Sequence, residues 1–487
     1  MTRTSTEGGR GRGTTGGAAT PDPFASDPVF LTEQDAREAG ARWRTRWIAV
    51  VTVLAVVCAA FVGLTYFQGP KAGETQVDTT AVVERPGQQL RVFANQALAH
   101  VDASQVVVTP AAAFTVQTSG DVVAVTFTGR LAYDTDYHVR VDGVSSVYQR
   151  QTSTLEARFS TPPATAYRLV RGTSGADDRI ERAGLRGSDR TTVWSAPRIQ
   201  AYEVFDSAVA VVTDDGTQSS LSLVSLDGAA VETLPVPEAP GLITRFAADR
   251  ATTTLAFSFR PTGSDVETLY TLPLQGERAV APVLGLSGQP VEPTDWAFVP
   301  GEDDVVVQAV DDSVSVIDLS GVDPVRPVGT YSLLQGVSLD GTTLIAASAI
   351  ASMVVDLATG DERPRAPAPV DGVLPFAGPL VALDSRHVVQ QVSVPSDDGL
   401  TYRTLVVADD GATSRTLWQP PSASGVIEGF DVSPNGQYLA VQSVGDATTP
   451  TDYSYTIDPV ADGVTTTIVE IASGAVVASY EGFDTSW

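Results

Sequence analysis

Apolar residues are distributed along this 487-residue chain in three different ways. Between Trp47 and Phe67 they form one run of 21 residues without a charge, WIAVVTVLAVVCAAFVGLTYF. At ~1.5 Å rise per residue, a helix of that length reaches about 31 Å and spans a hydrocarbon core. In residues 81–161 they come instead as short β-branched runs with partial period two, QLRVFA, QVVVTP, FTVQT, VVAVTFT, YHVRVDGV and LEARFST, separated by turns. Six or seven such strands within about 80 residues predict a two-sheet sandwich. From Ala164 onward, a run of apolar strands repeats with turns such as D-G or T-G between them, as in SAVAVVTDDGTQSSLSLVSLDGAAVETL and TTLIAASAIASMVVDLATGDE. Helical periodicity is nearly absent from residue 81 to the end.

The repeat has a period of roughly 40 to 50 residues, which belongs to propellers and solenoids. Units begin near residues 165, 199, 243, 293, 334, 376 and 427, and the first is visibly short. Six or seven blades are expected, with the short first unit (Tyr167 to Trp194) sharing a blade or packing directly with the C-terminal unit that ends at Trp487, because an open ring leaves strand edges unpaired.

Arg37, Arg42, Arg44 and Arg46 crowd the N-terminal side of the long apolar run. By the positive-inside rule they stay cytoplasmic, which places the bulk of the chain outside the cell membrane as a single-pass protein. Trp43 and Trp47 suit the inner interface, Tyr66 and Phe67 the outer one. A cleaved signal peptide is the competing reading, but LTYFQGPKAG lacks an A-x-A site and the apolar run exceeds an ordinary signal core. Cys58 invites a lipoprotein reading, which Val56 and Val57 oppose because small residues belong there. An uncleaved anchor therefore fits best. Residues 1–28, rich in Gly, Thr, Ser, Arg and Pro, should be disordered. Thr32 with Asp35 fits a capping box that opens a short juxtamembrane helix, with a cytoplasmic docking motif as the alternative. The expected layout is a cytoplasmic tail at 1–46, a transmembrane helix at 47–67, a polar linker at 68–80, a sandwich at 81–163 and a propeller at 164–487. Pro162 and Pro163 mark the last boundary, since neither has an N–H for a continuing ladder.

Charge is asymmetric. Residues 1–46 hold seven Arg and six acidic residues, leaving 24 basic and 52 acidic residues for the rest, a net of −28. Such a surface repels phosphate backbones, so no nucleic-acid partner is expected. Cys58 is the only cysteine, so the ectodomain has no disulfide. Past Lys71 there is no lysine, which removes P-loop, Schiff-base and Ser/Lys chemistry. His100, His138 and His387 match no metal-ligand spacing, and no G-x-S-x-G elbow offers a serine nucleophile. Arginine in place of lysine, with abundant Ala, Val, Thr, Asp and Gly, points to a high-GC, actinobacterium-like source.

Two resemblances add to this reading. LRVFANQALAHVDASQVVVTP, VVAVTFTGRLAYDTDYHVRVDGV and the closing FSTPP resemble the bacterial Ig-like domains of the SbsA type. That resemblance implies core and turn roles for Leu131, Tyr137, Val139, Val141, Gly143 and Val144, and a spacer or adhesion module without catalytic residues. GFDVSPNGQYLAVQSV followed by TTTIVEIASGAVVASY resembles the SPDGxxLA strand pairs of TolB-like and WD40-like propellers.

Candidate chemistry is sparse. The D-D-G stretches at Asp214–Gly216, Asp397–Gly399 and Asp409–Gly411 lack the spacing and distal Glu of calcium loops and read as hairpin turns. Glycoside hydrolysis by a carboxylate pair stays open, and Ser396-Asp397-Asp398-Gly399-Leu400-Thr401-Tyr402 comes one residue short of a sialidase Asp-box. Trp194, Trp296, Trp418 and Trp487 read as blade anchors before they read as a binding face. The expectation is an all-β, membrane-anchored envelope protein that is not an enzyme, has no catalytic, cofactor or metal site, and presents its propeller to an envelope protein, peptide or glycan. A transmembrane sensor and, behind it, a glycosidase are the alternatives.

Overall fold

A computed structural model describes residues 33–66 and 69–487, other than 174, 187–188, 397–398 and 458. The N-terminal tail, the Thr32 cap, Phe67, and Asp397 and Asp398 of the Asp-box-like stretch lie outside the described residues. One helix, α1 (Glu33–Tyr66), carries the long apolar run. Within it, Trp43–Ala60 is apolar and long enough to be a membrane span or signal anchor, and none of it is buried. Helix α1 is a unit of its own, and Gly69–Trp487 form a second unit that is almost wholly β.

The second unit opens with two sheets. One runs in the order β1 (Ala72–Gln76), β2 (Gln89–Ala94), β5 (Val122–Phe127), β4 (Phe114–Ser119), and the other in the order β3 (Val106–Thr109), β6 (Asp136–Ser146), β7 (Gln149–Ser160). Alternate residues of β2 and β5 point inward, and Leu90, Val92, Val123 and Val125 meet Val139, Val141, Leu155 and Ala157 of the other sheet in one core. That alternation is the period-two signature of a sheet with one wet face. The expected polar linker at 68–80 is corrected here: Ala72–Gln76 pair with β2 as an edge strand. All five residues are exposed and the strand is held by its backbone ladder, so no apolar alternation announces it.

From Thr165 onward, the described residues form seven four-stranded antiparallel sheets, the blades of a β-propeller. Blade 1 contains β8 (Thr165–Val170), β9 (Asp178–Gly184) and β10 (Thr191–Ala196), and blades 2 to 7 occupy residues 199–234, 241–282, 293–330, 333–365, 376–418 and 426–481. Second strands such as AVAVVTD and TLAFSFRP are buried on both sides, being central in their blade and flanked by neighbouring blades. This is why they appear in the sequence as nearly continuous apolar runs. First strands approach one another around the ring and define its centre.

The ring closes as the short first unit predicts. The C-terminal strand Phe483–Ser486 pairs with β8, Phe483 opposite Leu169 and Ser486 opposite Tyr167, and supplies the missing inner strand of blade 1. Gly482 makes the turn into it at φ +116°, where a Cβ would stand 2.9 Å from the Leu169 carbonyl oxygen, so only glycine fits without a shift.

Candidate functional site

In an up-and-down blade, the turns joining first to second and third to fourth strands fall on one face of the ring. The loops joining second to third strands, and each blade to the next, fall on the other. The sandwich sits on the first of these faces. Asn435 and Gln437, in the SPNG turn of blade 7, reach its 131–133 segment: Asn435 Nδ2 donates to Leu131 O at 3.0 Å, and Tyr133 N donates to Gln437 Oε1 at 2.7 Å. Ser433 Oγ organises that turn by accepting from the Gln437 and Tyr438 amides. Arg130 Nη1 donates to Leu339 O in the corresponding turn of blade 5, at 3.0 Å. The rings of Tyr133, Tyr438 and Trp487 stack in sequence, with centroids 6.4 and 6.1 Å apart. Sandwich and propeller also share apolar packing, since one core cluster continues from Val139 through Ala166 to Ala440 and Ile468.

Electrostatics agree with a covered mouth. Burial lifts Tyr133 to about 12, with Glu84 adding to the rise. Burial also raises Glu84, helped by Asp206 of blade 2 and opposed by Arg85 and Arg250. Thus sandwich residues meet blades 5 and 7 by hydrogen bonds and feel charges from blades 2 and 3, on opposite sides of the axis. Nearby, on the inner strand of blade 2, burial raises the Glu203 carboxyl to about 7, with Arg250 opposing and Asp431 contributing. Arg250 is tied to the closing strand, donating to Trp487 O and to Ser486 Oγ.

The opposite face carries no second domain, but the loop between the second and third strands of blade 7 reaches across it to blade 2, where Thr456 N donates to Gln200 Oε1 at 2.7 Å and Ile457 is buried in the core shared by blades 2 and 3; we call it the open face. Beside the ring closure it holds a cavity of about 430 Å³ lined by Arg171, Asp452, Tyr455, Asp462, Glu481 and Phe483 among others. Its floor is rigid. Arg171 lies 3.4 Å from the Tyr455 ring centroid and 4.8 Å from that of Phe483, and pairs with Asp178 at 3.1 Å. Asp178, nearly fully buried, also accepts from Gly172 N (2.8 Å), Ile199 N (3.0 Å) and Tyr455 OH (2.9 Å), so one carboxylate joins blades 1, 2 and 7. Burial lowers the Arg171 pKa and Asp178 opposes that shift. The rim is acidic, from Asp452, Asp462 and Glu481.

The residues singled out in the sequence fall as follows. Trp296 is buried with its indole N–H donating to Ser258 at 2.9 Å, Trp194 and Trp418 pack into blade cores, and Trp487 stacks in the docking seam. Asp214 and Asp409 end strands and accept from the amides of Gly216 and Gly411 two residues on, as hairpin turns require, while Arg198 and Arg365 pair with them. Leu131, Tyr137, Val139, Val141 and Val144 are buried, and Gly143 takes φ +68°. His138 lies in β6, His387 sits beside Asp384 in an exposed turn, and His100 is exposed. Among the described residues no group of three His, Cys, Asp or Glu side chains converges as a metal site. What the sequence did not reveal is the docking seam, because Asn435 and Gln437 lie some 304 positions from their partners.

No family model matches the chain, and no curated protein matches it. Solved structures share its architecture at a distance. An oligogalacturonate lyase from Vibrio parahaemolyticus is 12% identical over 65% of this chain and 93% of its own, with a TM-score of 0.42. A quinonprotein alcohol dehydrogenase-like protein from Bacteroides thetaiotaomicron is 9% identical over 84% and 97%, with a TM-score of 0.38. The Cps50 β-propeller domain of Myceliophteria thermophila is 13% identical over 59% and 88%, at 0.36. None of these carries a residue's role to this chain. They do correct one expectation: similar architectures include a lyase and a dehydrogenase-like protein, so the expectation that this chain is not an enzyme does not stand. Scarce lysine and histidine narrow the chemistry without excluding catalysis.

Proposed function

We propose that this chain is a membrane-anchored envelope protein in which an Ig-like spacer holds a propeller by one face and presents the other to an extracytoplasmic partner. The observation that carries the reading is the asymmetry of the ring, one face occupied by the sandwich and the other free of any second domain, with a walled cavity beside the ring closure. An Ig-like origin for the sandwich is supported by its two-sheet core and by Tyr137, whose hydroxyl accepts from the Ala132 amide at 3.0 Å in the manner of a tyrosine corner. The arginines before the apolar helix support a cytoplasmic N-terminus. In this reading the tail is 1–46, the anchor 47–67, the spacer ends at 163 and the propeller begins at 164.

The test is a photo-crosslinking amino acid placed at Leu374 on the open face or at Val322, in a third-to-fourth-strand turn on the sandwich side, in cells carrying the full chain. Both side chains are exposed. Adducts to an envelope component from Leu374 and none from Val322 are expected; adducts from Val322 alone would reverse the assignment of faces.

A further inference from the structure

The open face brings together two kinds of side chain that a solvated surface does not combine by chance. Leu333 and Ile350 of blade 5 and Leu374, Phe376 and Tyr402 of blade 6 or its entry loop are all exposed, Ile350 at 96% and Phe376 at 61%. Every one lies in a loop of this face or at the strand end beside it. Phe376 and Tyr402 meet edge to face at 5.6 Å, and Leu333 and Phe376 open the adjacent inner strands of blades 5 and 6, which places the five residues on one sector of the face. On the sandwich-side turns of the propeller, the exposed large apolar residues among those described are Val231, Val322 and Val476, one each on three separate blades. Exposed apolar residues gathered on one sector of a chain of net charge −27 mark an interaction surface rather than ordinary scatter.

The loops of this face are acidic, with Asp265, Asp311, Asp312 and Asp452 from three blades and Asp371 in the loop entering blade 6. The arginines in the described loops of this face, Arg171 and Arg198, are already paired with the buried carboxylates of Asp178 and Asp214. Arg403 follows Tyr402 on the same strand, and successive side chains of a strand project to opposite sides of the sheet. An anionic glycan or a second copy of this chain would therefore meet like charge. Resting on the reading proposed above, we infer that the open face takes a cationic polypeptide segment whose apolar side chains seat on Leu333, Ile350, Leu374, Phe376 and Tyr402 and whose basic side chains meet the acidic loops.

The experiment uses the full chain in detergent micelles and a fluorescent synthetic peptide alternating lysine and leucine, with glutamate/leucine and lysine/serine peptides beside it. Saturable binding of the lysine/leucine peptide alone is expected, weakened by added salt and weakened about tenfold or more when Phe376→Ser and Tyr402→Ser are combined, since clustered aromatic anchors dominate such contacts. Val322→Ser should leave it unchanged, and comparison in the same micelles cancels binding of peptide to detergent. Equal affinity in the double variant, equal binding of the glutamate/leucine peptide, or self-association lost on Phe376→Ser would each overturn the inference. If the peptide fails while Leu374 still crosslinks an envelope component, the partner's chemistry is wrong and the proposed function stands. Absence of any Leu374 adduct would instead remove the function on which this inference rests.

Discussion

Removal of residues 483–487 should lower the thermal midpoint of the propeller by about 10 °C or more and broaden its transition. The deletion takes the inner strand from blade 1 and leaves the edge of β8 unpaired on the inside of the ring. Buried Phe483 goes with it, and losing a buried phenylalanine alone costs about 3–5 kcal/mol. The Tyr202 hydroxyl loses the Asp484 carbonyl, Arg250 loses both partners at the C-terminus, and Tyr438 loses its stack on Trp487. In a domain of this size each kcal/mol moves the midpoint by roughly 1.5 °C, so these losses together add up to a shift that calorimetry reads easily. Trp487→Ala alone, which removes only the stack, should cost much less. An unchanged midpoint after the full deletion would mean that the ring is not closed by this strand.

Asp178→Ala should destabilise the fold by about 3–5 kcal/mol, the usual cost of removing one partner from a buried ion pair. The substitution strands the Arg171 guanidinium, and it also orphans the Gly172 and Ile199 amides and the Tyr455 hydroxyl. Asp178→Asn keeps an acceptor but not the charge and should fall between the variant and the natural protein. Combining Asp178→Ala with Arg171→Met should cost less than the sum of the two single changes, because the second removes the charge the first left uncompensated. Urea midpoints of the four proteins measure this coupling. Strict additivity would show that the pair contributes little to holding blades 1, 2 and 7 together.

Much of the fold was legible along the chain. The expected unit starts near 165, 199, 243, 293, 334, 376 and 427 lie within two residues of the observed first strands in blades 2 to 7 and of β8 in blade 1. That accuracy has a physical source: each second strand is buried on both sides, so it reads as a near-unbroken apolar run ahead of Asp/Gly turns. Strands without such burial were invisible. Ala72–Gln76 is wholly exposed, and the first half of β7, from Gln149, alternates between exposed and half-buried positions without apolar content. The docking seam was illegible for another reason. Its polar contacts run from Asn435, Gln437 and Arg130 to backbone groups hundreds of residues away, its stack joins Tyr133 to the equally distant Tyr438 and Trp487, and no period links such positions. The open-face patch was hidden because Leu374 and Phe376 look like core positions in a pattern of hydrophobic residues; only the ring shows that they face solvent.

The sandwich covers one mouth of the propeller, and in the function proposed above the other face meets a partner. Thiol labelling of single-cysteine variants tests both, with Cys58→Ala as background and cysteine introduced at Leu374, Val322 or Gln437. In purified full-length protein, Leu374→Cys and Val322→Cys should react rapidly and Gln437→Cys slowly, since that position lies beneath the sandwich. On intact cells, Leu374→Cys alone should become protected relative to purified protein. Rapid labelling of Gln437→Cys, or protection of Val322→Cys in place of Leu374→Cys, would contradict the account.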